Sequence, residues 1–211
     1  LAQKIKIAPK VGWYGLVRFS PEETAILSNG LNIFNGPSNG IDVYYNLNSN
    51  LKLRLGTEYL WGLKKNTQNP IIPEQEISYK GRGFFFTPSL IISSSLEKKF
   101  SPFLSFGLTT GIPEMVFNYQ NDKAIYTGDI LIGINSGIGI SIKTIKGINL
   151  ITELQFSRAR YKPTKLVSKS DENVLISELD EESILTPNFF LQQLNFSVGL
   201  TYQINNNEEN K

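Results

Sequence analysis

The sequence predicts an eight-stranded antiparallel up-and-down β-barrel of the transmembrane kind. Three observations point there: period-two alternation of apolar and polar residues in eight segments, strict alternation of short and long connections, and a non-apolar strand face made of small polar residues. Composition agrees. The 211 residues include 24 Ile but only 5 Ala, with 20 Asn and 17 Gly. Ile, β-branched, suits a pleated surface and Ala, the best helix former, is scarce, so a long-helix protein is excluded. No apolar run reaches the 18 or so residues of a membrane-spanning helix. A net charge of +2 lacks the dense basic face of a nucleic-acid binder. With no Cys and no His, the chain has no thiol nucleophile, no disulfide, and neither the commonest metal ligand nor the usual neutral-pH base. No metal and no cofactor is expected.

Taken in order, the strands are predicted at 4–15, 39–47, 51–62, 84–97, 102–112, 128–143, 147–160 and 190–204. The first places Ile5, Ile7, Val11 and Trp13 on one side. The second sets Ile41, Val43, Tyr45 and Leu47 against Asp42, Tyr44 and Asn46. The third sets Leu51, Leu53, Leu55, Thr57, Tyr59 and Trp61 against Lys52, Arg54, Gly56 and Glu58. The fourth and fifth each show one apolar face, the fourth interrupted by Pro88. In the sixth, Ile132, Ile134, Ile138, Ile140 and Ile142 oppose Gly133, Asn135, Gly137, Gly139 and Ser141. The seventh pairs Leu150, Leu154 and Phe156 against Asn149, Glu153 and Gln155, and the eighth Leu194, Phe196, Val198, Leu200 and Tyr202 against Asn195, Ser197, Gly199 and Thr201. Only strands repeat with period two. Tight turns (48–50, 98–101, 144–146) alternate with long loops (16–38, 63–83, 113–127, 161–189), the pattern of a membrane barrel. The domain reading is a barrel over 1–204 and a short polar tail over 205–211.

Which face meets water decides between this fold and a soluble lipocalin-like ligand-binding barrel. A solvated surface is usually rich in Lys and Glu, whereas here the polar face is mostly Gly, Ser, Thr, Asn and Gln. Such residues fit a narrow, filled lumen. Ten apolar-facing residues at roughly 3.3 Å, tilted about 45°, span on the order of 23 Å of hydrocarbon. An aromatic girdle is expected from Trp13, Tyr59, Trp61, Phe84, Phe86 and Phe156 at the long-loop ends, with Tyr45 and Tyr202 near the turns. Phe100 and Phe103 also fall near the turns, and parity turns Phe103 toward the lumen.

Two stretches carry a resemblance: Gly40-Ile41-Asp42-Val43-Tyr44-Tyr45-Asn46-Leu47 running through Asn48-Ser49-Asn50 into Leu51-Lys52-Leu53-Arg54-Leu55-Gly56, and the closing Phe196-Ser197-Val198-Gly199-Leu200-Thr201-Tyr202. Over nearly its whole length the chain resembles the small bacterial outer-membrane β-barrels of the OmpA/OmpX type and the related outer-membrane barrel domain that includes PorT-like proteins. The match is one of architecture more than of fingerprint. The family commonly ends on an aromatic residue, and here a polar tail follows Ile204. The resemblance implies a Gram-negative cell-envelope protein in the outer membrane. The opening Leu1-Ala2-Gln3 fits the scar of a cleaved signal peptide.

Parity puts Lys10, Asp42, Lys52, Arg54, Glu58 and Glu153 in the lumen, where an unpaired charge is very costly. An ion-pair network is therefore expected, with Arg54 bonded to Glu58 or Glu153. A gated narrow pore is the competing use of these charges. Arg18, Lys64, Lys65, Lys80, Arg82, Arg158, Arg160 and Lys162 collect at the long-loop rim, either solvated or clamping lipopolysaccharide phosphates. Ser20-Pro21-Glu22-Glu23 reads as the capped start of a short helix to about Ser28. Asn121-Asp122-Lys123 reads as a hairpin tip. Asp171, Glu172, Glu178, Asp180, Glu181 and Glu182 form a solvated acidic loop without EF-hand spacing. Gly137-Ile138-Gly139 is strand glycine and no nucleotide loop.

The function expected is non-enzymatic, because enzymes of the resembled kind lean on a histidine. A structural or surface-interaction role through the four long loops leads, in a monomer surrounded by outer-membrane lipid, with lipopolysaccharide or a protein as loop partner. A PorT-like accessory role in secretion or assembly, and a soluble ligand-binding barrel, are the alternatives.

Overall fold

The computed structural model describes residues 5–21, 34–68, 76–94, 99–119, 122–145, 148–167, 173–175 and 189–203. The strands are β1 (Ile5–Pro21), β2 (Gly36–Asn46), β3 (Leu51–Leu60), β4 (Lys65–Gln68), β5 (Glu76–Ser93), β6 (Phe100–Tyr119), β7 (Asp122–Thr127), β8 (Leu131–Ile145), β9 (Ile148–Tyr161), β10 (Lys165–Val167), β11 (Asn173–Leu175) and β12 (Phe189–Gln203). Eight of them are staves, in the order β1-β2-β3-β5-β6-β8-β9-β12, and all their pairings are antiparallel. The β1–β12 pairing, with Trp13 opposite Phe196, closes the cylinder. This is the up-and-down barrel that the connection lengths predict, and no helix occurs among the described residues.

Strand faces follow parity through the body of the barrel, with register shifts at Leu16/Arg18 of β1 and Lys143/Ile145 of β8. Val11, Trp13, Ile41, Leu55, Phe84, Phe106, Ile112, Ile132, Ile134, Ile138 and Phe196 point outward, with Val11 63% and Ile132 65% exposed. Asp42, Arg54, Glu58, Ser105, Asn135, Glu153, Asn195 and Thr201 point inward and are buried. An apolar exterior around a polar interior is the inverse of a soluble barrel and suits a hydrocarbon solvent. The soluble lipocalin-like alternative requires the opposite orientation.

The turns and long connections differ in kind. At 47–50, Asn48 Oδ1 accepts hydrogen bonds from the backbone N–H of Asn50 and Leu51, both at 2.8 Å, so one side chain sets the reversal. The long connections are more structured than predicted. β1 runs on to Pro21, β5 begins at Glu76, and β6 continues to Tyr119. Above the rim β6 leaves β8 and pairs with β7, then β10 and β11 follow, while β4 lies on the far side of β5. The result is a six-stranded sheet, β4-β5-β6-β7-β10-β11, standing on one side of the barrel mouth. In these extensions the inward residues Ile77, Tyr79, Met115 and Phe117 join a buried apolar cluster. The alternating positions Glu76, Ser78, Lys80 and Arg82 of β5 are polar, so no apolar outward face marks these segments as staves. The sequence pattern therefore reads as loops over 63–83, 113–127 and 161–189 where strands stand.

Ser20 and Pro21 lie in β1, opposite Phe190 and Phe189. A helix capped at Ser20 is therefore corrected to a strand end: the register with β12 outcompetes the local capping signal. Asp122 and Lys123 of the predicted hairpin tip open β7, opposite Tyr119 and Asn118 of β6. Asn121, the remaining helix residues and the acidic positions Asp171, Glu172, Glu178, Asp180, Glu181 and Glu182 fall outside the described residues.

Candidate functional site

The barrel interior is arranged in three layers. In the middle, Lys10 on β1 lies 3.0 Å from Asp42 Oδ1 on β2 and 3.3 Å from Glu58 Oε2 on β3. Glu58 accepts from Tyr14 at 3.1 Å, from Ser38 Oγ, and from Asn195 Nδ2 at 3.3 Å. Residues from β1, β2 and β12 thus converge on one carboxylate of β3. The second centre is Arg54, whose Nη1 pairs with Glu153 Oε2 across the lumen while Nη2 donates to Ser89 Oγ at 3.2 Å. Ser105 donates to Glu153 Oε1 at 2.5 Å. Asn135 extends this group, accepting from Gln155 at 3.0 Å and donating to Thr109 at 3.0 Å.

Of the two partners open to Arg54, then, Glu153 is taken and Glu58 goes to Lys10. Lys52 departs from the expected network: it is buried near the turn end and makes no ion pair among the described residues. It sits opposite Asn46, one inward position below the Arg54–Tyr44 rung, too far toward the turns to reach the carboxylates. Arg54 Nε and Thr87 Oγ1 find no protein partner among the described residues, so this layer is polar enough to hold water.

Apolar layers close both ends of the lumen. Toward the long loops, Tyr14, Phe34, Leu60, Ile77, Tyr79, Phe85, Met115, Phe117, Leu131, Ala159, Tyr161 and Leu191 form one buried cluster. Tyr161 Oη donates to the Pro113 carbonyl at 2.9 Å within it. Toward the turns, Ala8, Tyr44, Ile91, Phe103 and Ile151 form a second. The composition of the polar face predicts a lumen of mostly small polar residues with isolated charges, and these two apolar layers add to it. Phe103 does turn inward, as parity requires. The remaining signal is present in the same parity: Tyr14 and Tyr44 share the even-numbered face of Lys10 and Asp42, and Phe85 sits between the outward Phe84 and Phe86.

Glycine makes the room for this filling. A Cβ on Gly139 would run into the Phe103 ring and come 2.5 Å from the Thr152 carbonyl, and one on Gly137 would come 2.7 Å from Glu153 Oε1. Overpacking of a filled interior costs about 1–3 kcal/mol. Gly139→Val should therefore lower the urea midpoint of the folded barrel by that order, whereas a valine at the outward Ser136 on the same strand should leave it unchanged.

Outside, Trp13, Trp61, Phe84, Phe156 and Tyr202 are exposed, and Tyr45, Tyr59 and Phe86 are half-exposed. Trp61 Nε1 donates to Asn39 Oδ1 at 2.6 Å, and its ring meets Tyr59 edge-on at 4.8 Å. The predicted basic rim divides into groups. On β5, Lys80 and Arg82 stand above Phe84, and Arg82 is bonded to Glu114 on β6 at 2.7 Å. On β9, Arg158 and Arg160 stand exposed above Phe156, opposite Gln192 and Phe190 of β12. Lys64 and Lys162 are exposed between strands, and Lys65 pairs with Tyr79 at the foot of β4. Arg18 lies in β1 opposite Gln192.

Solved structures of the same architecture are numerous. A major outer-membrane protein from Thermus thermophilus aligns over 97% of this chain and 100% of its own, with a TM-score of 0.61 at 11% identity. This chain has the fold of the small bacterial outer-membrane barrels. OprG, an outer-membrane protein from Pseudomonas aeruginosa, aligns over 96% of both chains at 8% identity and a TM-score of 0.55. Ail, the attachment invasion locus protein of Yersinia pestis, solved with the heparin analogue sucrose octasulfate, aligns over 97% of this chain and 100% of its own at 10% identity and a TM-score of 0.50. No protein-family model and no curated protein matches the sequence.

Proposed function

We propose that this barrel resides in the outer membrane and serves a non-enzymatic structural or surface-interaction role through its long-loop end. The observation that carries this reading is the inversion of its faces: an apolar exterior around a filled, charge-paired interior. The non-enzymatic part rests on chemistry. The chain has no His and no Cys, and the carboxylates Asp42, Glu58 and Glu153 are each bonded to a cation beneath an apolar layer. In this reading the interior ion pairs hold the staves together, and the outward aromatics anchor the barrel at the two interfaces. A filled eight-stranded lumen also argues against a solute channel.

The rim supplies the contact chemistry. On β9 an aromatic residue at the hydrocarbon edge is followed at two-residue steps by two outward guanidiniums, Phe156, Arg158 and Arg160. In this reading the two guanidiniums lie at headgroup height and take lipopolysaccharide phosphates through charge-assisted hydrogen bonds. The double substitution Arg158→Ala with Arg160→Ala should weaken binding of defined lipopolysaccharide at least tenfold in protein that still folds into the barrel. Sucrose octasulfate provides a soluble polyanion for the same titration. Equal binding by wild type and double mutant would remove the lipid-clamp reading. Protease treatment of intact cells tests location: cleavage should occur in the long connections and spare 47–50. Recovery of envelope proteins on pull-down from those cells would favour the assembly-accessory alternative.

A further inference from the structure

The barrel wall has a break in its backbone ladder beside the polar middle layer. β5 and β6 pair without interruption from Ile77 with Tyr119 to Phe86 with Thr110, and again from Ser89 with Gly107 to Ser93 with Phe103. The two rungs between them, Thr87 with Thr109 and Pro88 with Leu108, are missing. Proline has no N–H, so the Leu108 carbonyl opposite it loses its ladder donor, and that one bond underlies both rungs. A proline inside a sheet is ordinarily confined to an edge or a bulge, yet Pro88 is also paired on its other side, with Leu55 of β3. Leu108 lies on the outer face and is 55% exposed. In hydrocarbon no water reaches an orphaned carbonyl, and leaving one there is expensive.

Asn135, inward on β8, makes good the loss. Its Nδ2 donates to the Leu108 carbonyl at 2.6 Å and to Thr109 Oγ1 at 3.0 Å. Its Oδ1 accepts from Ser89 Oγ at 3.3 Å and from Gln155 Nε2 at 3.0 Å. One side chain thus holds both sides of the break, β6 through Leu108 and Thr109 and β5 through Ser89. Ser89 also accepts from Arg54 Nη2 at 3.2 Å, which ties the arrangement to the ion pair behind it. Gly107 lets the two backbones close: a Cβ there would come 2.1 Å from the Pro88 carbonyl oxygen. A second proline supplies a comparison. The β1–β12 pairing skips from Ile7 with Tyr202 to Lys10 with Gly199, at Pro9 near the turn end of β1.

We propose that Asn135 is the latch of a parting seam: its amide stands in for the backbone bond that Pro88 cannot give, and β5 and β6 separate there first when it lets go. Local opening follows the weakest set of backbone bonds, and here one side-chain amide spans them. The opening lets water into the middle layer, where Thr87 Oγ1 beside the break has no protein partner among the described residues. The seam belongs to the wall of the barrel and stands independently of the contact chemistry at the rim.

Amide hydrogen exchange of the full 15N-labelled chain in lipid nanodiscs tests this. Asn135→Ala should speed exchange of the Phe86, Leu108 and Thr110 amides about tenfold, the order of one net hydrogen bond. The Leu200 amide, beside the Pro9 break, should change less than about twofold. Pro88→Val restores a backbone donor and, added to Asn135→Ala, should return the rates to those of wild type. Equal rates in wild type and Asn135→Ala, a rise of the same size at Leu200, or no recovery with Pro88→Val overturns the latch. Should Asn135→Ala fail to fold, Pro88→Val alone decides. It should slow exchange at Leu108 about threefold and leave Leu200 as it is, and an unchanged rate at Leu108 overturns the proposal.

Discussion

Arg54→Ala should lower the unfolding free energy of the barrel by about 3–5 kcal/mol, the cost of leaving one buried charge without its partner. The stranded group is Glu153, which Arg54 reaches across the lumen from β3 to β9. Among the described residues, Ser105 alone would remain bonded to that carboxylate. Urea unfolding in vesicles reads the loss, and Arg54→Met combined with Glu153→Leu provides the control. With both charges gone the desolvation cost disappears with the attraction, so the double variant should regain most of the lost stability. If the double variant is as unstable as the single one, the pair is not the source of the effect. Planar-bilayer current should stay at baseline in all three proteins. Removing Arg54 empties part of the middle layer but leaves the apolar layers intact, with Phe85 and Leu60 on one side and Phe103 and Ile91 on the other. A steady open conductance in Arg54→Ala would show that the middle layer alone closes the lumen.

A charge placed on the outer belt should cost nearly as much. Ile138 is 59% exposed midway along β8, between Ile134 and Ile142. Arginine at the bilayer midplane of a membrane barrel costs about 2–4 kcal/mol, falling toward zero at the interfaces. Ile138→Arg should thus be destabilised by that amount in vesicles, and an arginine at Ile130, beyond the upper end of the strand, far less. The depth dependence is the informative part. A water-facing isoleucine exchanged for arginine would be neutral or would improve solubility, so an equal and negligible effect at both positions would sink the bilayer assignment.

The strand faces are readable because period two has one consequence. Once Ile132, Ile134 and Ile138 share a side, Asn135 and Gly137 must share the other. The same rule carries Lys10, Asp42, Arg54, Glu58 and Glu153 to the interior. It cannot tell whether Arg54 meets Glu58 or Glu153, since that depends on stagger between staves far apart in sequence. Nor can it show that Lys52 lies below the reach of the carboxylates. Phe85, Tyr14 and Tyr161 are on the correct face for a lumen plug, but a sequence displays faces without heights. Their clustering with Phe34 and Leu191 at one level is a property of the closed cylinder.

The order of apolar and polar residues along this chain was sufficient for the number of barrel staves, their orientation and which face points outward, because alternation is a local property and hydrocarbon demands an apolar exterior. The ion-pair partners, the apolar layers at both ends and the position of Lys52 beneath them came only with the tertiary structure. They depend on stagger around the barrel, which hydrogen bonds between neighbouring staves set cumulatively and which no single segment encodes.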